Sequence, residues 1–238
     1  MQSVTSIGRF GASLRALGLA TVLAASSAGA AIVWDLNPNN QDAVTLGTSQ
    51  TFTEQGYTIT ARGYDDSDRN GVGTATELYF KNRPPDGGAN ESGLGLANSP
   101  HHEVNGSASG TLNFIQLDLR SILSQGATGF QIAVTSLQEG ESFQLFGSNF
   151  EGVLGTAISG PYTGLQFDDK FVAVTDFGSF SFLSVAGFGA GSNVLPSRFS
   201  AEITPIPEVG TVMPIVGLLV AIGATHILRR RRAGIASA

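Results

Sequence analysis

The central part of this sequence predicts an all-β fold, and three observations lead there. Short stretches rich in Phe, Thr, Val and Ile alternate with clusters of Gly, Asn, Ser and Asp. Glycine accounts for 31 of 238 residues, nearly double the usual ~7 %, as expected where many tight turns need a positive φ. No amphipathic stretch of useful helical length occurs in the body, where only Arg120–Ser124 suits a short helical turn. The strand spacing suggests a jelly-roll-like two-sheet sandwich, and the absence of a fixed repeat argues against solenoids and propellers.

Eight segments carry the strand signal: Tyr57–Arg62, Glu77–Lys81, Leu112–Leu119, Phe130–Leu137, Ser142–Phe146, Phe171–Thr175, Phe180–Val185 and Arg198–Ile203. In Phe130–Gln131–Ile132–Ala133–Val134 the apolar side chains fall on every second residue, which suits a strand with one buried face. Proline is largely kept to loops and strand margins, where it removes no ladder bond. The glycines of Glu91–Gly95 read as loop glycines, and Gly187–Asn193 reads as a mobile connection before the last strand.

The sharpest chemical motif is the run Asp66 to Glu77, which matches the calcium-loop pattern D-x-[DN]-x-[DN]-G-x5-E. Asp66, Asp68 and Asn70 would offer side-chain oxygens, Val72 its carbonyl and Glu77 a two-oxygen closure to Ca2+. The flanks are strand-like, however, whereas an EF-hand needs two helices, and Asp, Asn and Gly are also what an ordinary turn uses. His101–His102–Glu103 is a weaker metal candidate, because adjacent strand residues point to opposite faces and no spaced partner follows.

Catalytic signatures are missing. There is no cysteine, and the body's histidines are one adjacent pair with no G-x-S-x-G elsewhere. Carboxylate pairs such as Asp65/Asp66 or Asp168/Asp169 keep a glycan hydrolase as the alternative to a non-catalytic binding or structural protein. One Trp and four Tyr make a thin platform for lectin-like stacking.

The two ends carry addresses. Arg9 and Arg15 precede an apolar stretch, Ala16–Ala25, and small residues up to Ala31, the layout of a secretory signal peptide over 1–30 with cleavage after Ala30 or one residue later. Residues 31–204 form the exported domain, 205–211 a Pro-rich linker, 212–228 a short transmembrane helix and 229–238 an arginine-rich cytoplasmic tail. The domain holds seven bases against eighteen acids, a net charge of −11, which argues against nucleic acid and anionic lipid as partners.

Pro207–Glu208, the apolar run Val212–Leu228 and Arg229–Arg230–Arg231–Arg232 together resemble the bacterial PEP-CTERM sorting signal, with Val209 in place of the second proline. The resemblance implies recognition by exosortase, a membrane-embedded transpeptidase-like enzyme, and delivery to the cell surface or extracellular matrix. It also implies polysaccharide as a natural neighbour. Leu195–Pro196–Ser197 begins like a sortase site but lacks the Thr-Gly. Within the body, Leu78–Asn82, Glu91–Leu96, His102–Val104, Phe114–Leu119, Glu141–Phe143 and Phe146–Asn149 resemble an exported β-sandwich domain that recurs in such proteins. That resemblance implies a surface module with no assigned enzymology.

Overall fold

The structure is a computed structural model that describes residues 30–83, 91–108, 110–204, 218 and 220–225. The strands are β1 Ala30–Asp35, β2 Val44–Thr45, β3 Ser49–Glu54, β4 Tyr57–Asp65, β5 Thr74–Thr76, β6 Leu78–Arg83, β7 Glu91–Leu96, β8 Val104–Ser107 and β9 Gly110–Thr111. After them come β10 Asn113–Asp118, a single helical turn α1 Arg120–Leu123, β11 Ala127–Thr135, β12 Ser142–Ser148 and β13 Thr156–Ala157. The chain then forms β14 Tyr162–Thr163, β15 Lys170–Ala173, β16 Phe182–Gly187 and β17 Asn193–Ile203.

These strands make an all-β domain of antiparallel sheets. The larger sheet runs β13-β12-β16-β10-β4-β3, with β14 on β12 and β5 on β4. The second runs β15-β11-β17-β8-β9, with β1 added to β17. Each of the eight expected strands is present. A small sheet, β2-β6-β7, is an addition to the two that the sequence predicts. It exists because Glu91–Leu96 is a strand and not a loop. Gly93 and Gly95 sit where an added Cβ would meet Leu195 Cβ at 2.8 Å and the His102 carbonyl oxygen at 1.8 Å. Glycine here permits close approach of backbone to a neighbour.

Alternation sorts the faces as the period of two requires. Ile59 and Ala61 of β4 and Ile115 and Leu117 of β10 are buried in the main core with Trp34, Phe199 and Ile203. Trp34 is almost wholly enclosed, and its indole Nε1–H donates to the Tyr57 carbonyl at 3.0 Å. The other face of the larger sheet carries Tyr64, Phe114, Phe146 and Ala186, and Leu154 packs onto them. Leu154 belongs to the 149–155 segment, which lies across that face. Gln116 holds it there: Gly152 N–H donates to Gln116 Oε1 at 2.9 Å, and Gln116 Nε2 donates to the Val153 carbonyl at 2.9 Å.

Two further corrections concern β17 and the residues before it. Pro196 lies inside β17, beside the register shift between Ala133 and Val134 of β11, where a missing N–H is tolerated. Gly187–Asn193 is a tethered turn and not a loose one. Phe188 N–H donates to the Ser142 carbonyl at 2.9 Å, and Gly106 N–H donates to the Ser192 carbonyl at 2.8 Å. Of the two terminal segments read above as a leader and a sorting tail, only Ala30, Leu218 and residues 220–225 lie among the described residues. The latter seven are helical. Among the described residues no helix is long and apolar enough to cross a membrane. Pro207, Glu208 and Arg229 to Arg232 fall outside the described residues.

Candidate functional site

The loop that matches the calcium pattern connects β4 to β5 as a hairpin, Asp65 lying opposite Thr74. Its polar groups are turned on one another. The buried Asp66 carboxylate accepts Gly71 N–H at 3.2 Å through either oxygen, and Asp66 N–H donates to the Leu112 carbonyl at 2.8 Å. Asn70 Nδ2 donates to Asp68 Oδ2 at 2.7 Å, and Val72 N–H donates to Asn70 Oδ1 at 2.7 Å. Burial raises the Asp66 carboxyl above its ordinary value despite the Gly71 bond.

Glu77 is not brought to these groups. Thr76 pairs with Gly63, three strand residues or about 10 Å from Asp66, and Glu77 lies beyond it on the exposed side. Asp66, Asp68 and Asn70 therefore share a turn that Glu77 does not close. The described donor set does not fit the seven-oxygen cage of an EF-hand. Among the described residues no three His, Cys, Asp or Glu side chains gather as metal ligands would.

His101, His102 and Glu103 part company. His101 is exposed, whereas His102 stacks on Tyr79 with centroids 4.2 Å apart, and its Nδ1 donates to the Ala97 carbonyl at 2.8 Å. Glu103 turns inward. There Lys81, the sole lysine of β6, donates through Nζ to Glu91 Oε2 at 2.6 Å and also to Glu103 Oε1. Ser136 Oγ donates to the same Glu103 oxygen at 3.0 Å. The three charged side chains are each about nine-tenths buried or more.

The environment separates the two acids. Burial pushes the Glu103 carboxyl up to about 7, against the pull of Lys81 and with a further push from Glu91. Burial acts on Glu91 too, but hydrogen bonds from Lys81 and Glu103 outweigh it and hold that carboxyl below its usual value. Burial likewise opposes the Lys81 ammonium, and the two glutamates outweigh it and raise the group. One cation between two carboxylates thus favours one shared proton. Sequence reasoning missed this cluster. Its three members come from separate segments, and the only signal was a lysine directly after the apolar run Leu78–Phe80.

The acids considered for hydrolysis each hold a partner of their own. Asp65 is exposed and accepts Ser67 N–H at 3.0 Å, while Asp66 is buried in its turn. Asp168 accepts Leu137 N–H at 3.1 Å, whereas Asp169 pairs with Arg198 at 2.6 Å. A separate cup of about 450 Å³ opens at the end of β11. Phe130 and Phe177, with ring centroids 5.2 Å apart, line it together with Gln131, Asp176 and Glu202. A bulge between Thr128 and Gln131, where Gly129 takes φ 62, shapes its rim.

No family model, curated protein or solved structure matches this chain.

Proposed function

We propose that this chain is an exported, non-catalytic surface or matrix domain, a jelly-roll-like sandwich carried to the envelope by its PEP-CTERM-like tail and handled there by an exosortase-like enzyme. One observation supports this reading above the rest. β1 and β17 are antiparallel neighbours, and Ala30 lies directly opposite Ile203. The leader junction and the tail therefore leave the domain side by side, at one pole. Pro207 follows the last strand residue by only four positions, so a processing enzyme would work close against the folded body. Extracellular polysaccharide is the proposed partner. Its place is the Phe130/Phe177 cup, where aromatic rings meet acidic and amide groups and no basic side chain lines the wall.

The test is fractionation of cells that make the full chain together with an exosortase. The expected result is chain recovered from the envelope or medium, starting at Ala31, with Glu208→Ala leaving the C-terminus unprocessed. Recovery of full-length chain from the cytoplasm with its first thirty residues intact would sink the reading.

A further inference from the structure

The sequence offers no cysteine for a disulfide, and among the described residues three of the four buried charged side chains, all but Asp66, are gathered in the Lys81–Glu91–Glu103 cluster. We propose that Lys81 and Glu103 become covalently joined, Nζ of one to Cδ of the other, as an intramolecular amide, with Glu91 carrying the protons. The proposal stands on the cluster itself and does not depend on where the chain is delivered.

Three things are needed for such a bond: an amine in contact with a carboxyl group, a neighbour that can move protons, and exclusion of water. Lys81 Nζ touches both glutamates, at 2.6 Å for Glu91 Oε2 and in direct contact with Glu103 Oε1. The side chains are held by different segments, β6, β7 and the residue before β8, so the fold itself brings them together. Such positioning is worth effective concentrations of roughly 10⁵–10⁸ M in well-oriented reactions. The near-complete burial keeps out the water that would return the amide to acid and amine.

The roles divide by environment. Glu103 is the deeper acid, pushed toward its neutral form by burial, and Ser136 Oγ–H at 3.0 Å polarises its Oε1. A neutral carboxyl is the form that an amine can attack. Glu91 is held as carboxylate, the form that accepts a proton. The cluster starts as –NH3+ on Lys81, –COO− on Glu91 and –COOH on Glu103. Glu91 takes one proton from Nζ, and the freed lone pair attacks Cδ of Glu103. Glu91 returns that proton to the departing hydroxyl, which leaves as water, and then takes a second proton from the nitrogen. The Nζ–Cδ bond forms, the Cδ–O bond breaks, one water departs and Glu91 ends as the neutral acid. No electrons are exchanged with any other molecule, and the product replaces the two buried charges of Lys81 and Glu91 with neutral groups, which relieves their desolvation.

The decisive experiment is peptide mapping of the full chain, unfolded and digested with a protease that cuts after glutamate. Cleavage after Glu77 and Glu91 releases residues 78–91, which contain Lys81. The expected product is a branched peptide, with 78–91 joined at Lys81 to the peptide that starts at Ser92, lighter than the sum by one water, about 18 Da. Lys81→Arg keeps a cation but removes the amine, and should release both peptides free, with cleavage after Glu103 restored. Glu91→Gln removes the proton carrier and also the cut after residue 91, so free chain gives 78–103 and joined chain a looped 78–139 lighter by one water. The looped fraction should fall about tenfold or more below the natural chain's joined fraction.

Free 78–91 at full mass from the natural chain, with clean cleavage after Glu103, would overturn the proposal. So would a water loss confined to an unbranched 78–91 peptide, the signature of cyclisation at Asp86–Gly87. The natural chain decides the matter even if a variant fails to fold.

Discussion

Glu103 shows what a single buried acid does to the balance of the fold. Its folded value of about 7 lies above the ordinary 4.5, so the protonated form is the one that the fold favours. That contribution is complete below about pH 4.5 and is lost as pH rises through about 7. Glu141, Asp66 and Asp168, also raised by burial, act in the same direction. The depressed carboxyls Glu91 and Asp118 act at lower pH, where their stabilisation is lost on acidification. A Lys81→Arg chain, which cannot join, should therefore melt at steadily lower temperature from about pH 5 to about pH 7. The joined natural chain should show a shallower slope, because Glu103 no longer titrates. A Lys81→Arg melting temperature that rises across the window would contradict this assignment. At this scale the sequence was least legible. Gly93 and Gly95 looked like loop residues because the groups that demand glycine, Leu195 and His102, are supplied by packing and not by neighbours in the chain.

Among elements, the β4–β5 hairpin and the 149–155 segment behave as one unit. Gly73 N–H donates to the Gly152 carbonyl at 2.8 Å, Leu154 N–H donates to the Gly71 carbonyl at 2.9 Å, and Val72 bridges to Val153. Arg62 adds an ion pair to Glu151 at 3.1 Å, a half-exposed contact that contributes little by itself. Asp66 organises the hairpin, so its loss should loosen both segments. Asp66→Ala is expected to lower stability by about 2 kcal/mol, read by urea unfolding, and by the same amount with calcium or with chelator. A melting temperature of the natural chain that climbs with calcium would return the loop to a metal. Eight strands with β-branched or aromatic residues were legible in the sequence; the rest, including β1, β3, β7 and β8, were not. β1 abuts a run of alanines that reads as part of a leader, and β7 has too few side chains to show a period. The Asp66–Gly71 turn was legible as a turn. Which groups its oxygens would satisfy was not, since Gly71 and Leu112 enter only once the hairpin has closed.

For the molecule as a whole, β17 is the strand on which the second sheet depends. It pairs with β11 along one side and with both β1 and β8 along the other, and it contributes Phe199, Ala201 and Ile203 to the core. A chain ending at residue 192 should consequently lack a cooperative unfolding transition by circular dichroism, and a sharp transition in that chain would refute this dependence. The two-sheet architecture was legible because eight strand signals at this spacing have few other ways to bury their faces. The third sheet was not, because it rests on close backbone approach that composition does not record. The position of β17 also imposes an order of events. β1, made early, has no strand partner among the described residues until the last strand of the domain arrives. Along the proposed export route, that strand clears the membrane only when the following apolar segment reaches it. Closure of the fold and arrest of the chain would then coincide, so that the tail is offered for processing only by a molecule whose first and last strands have both emerged.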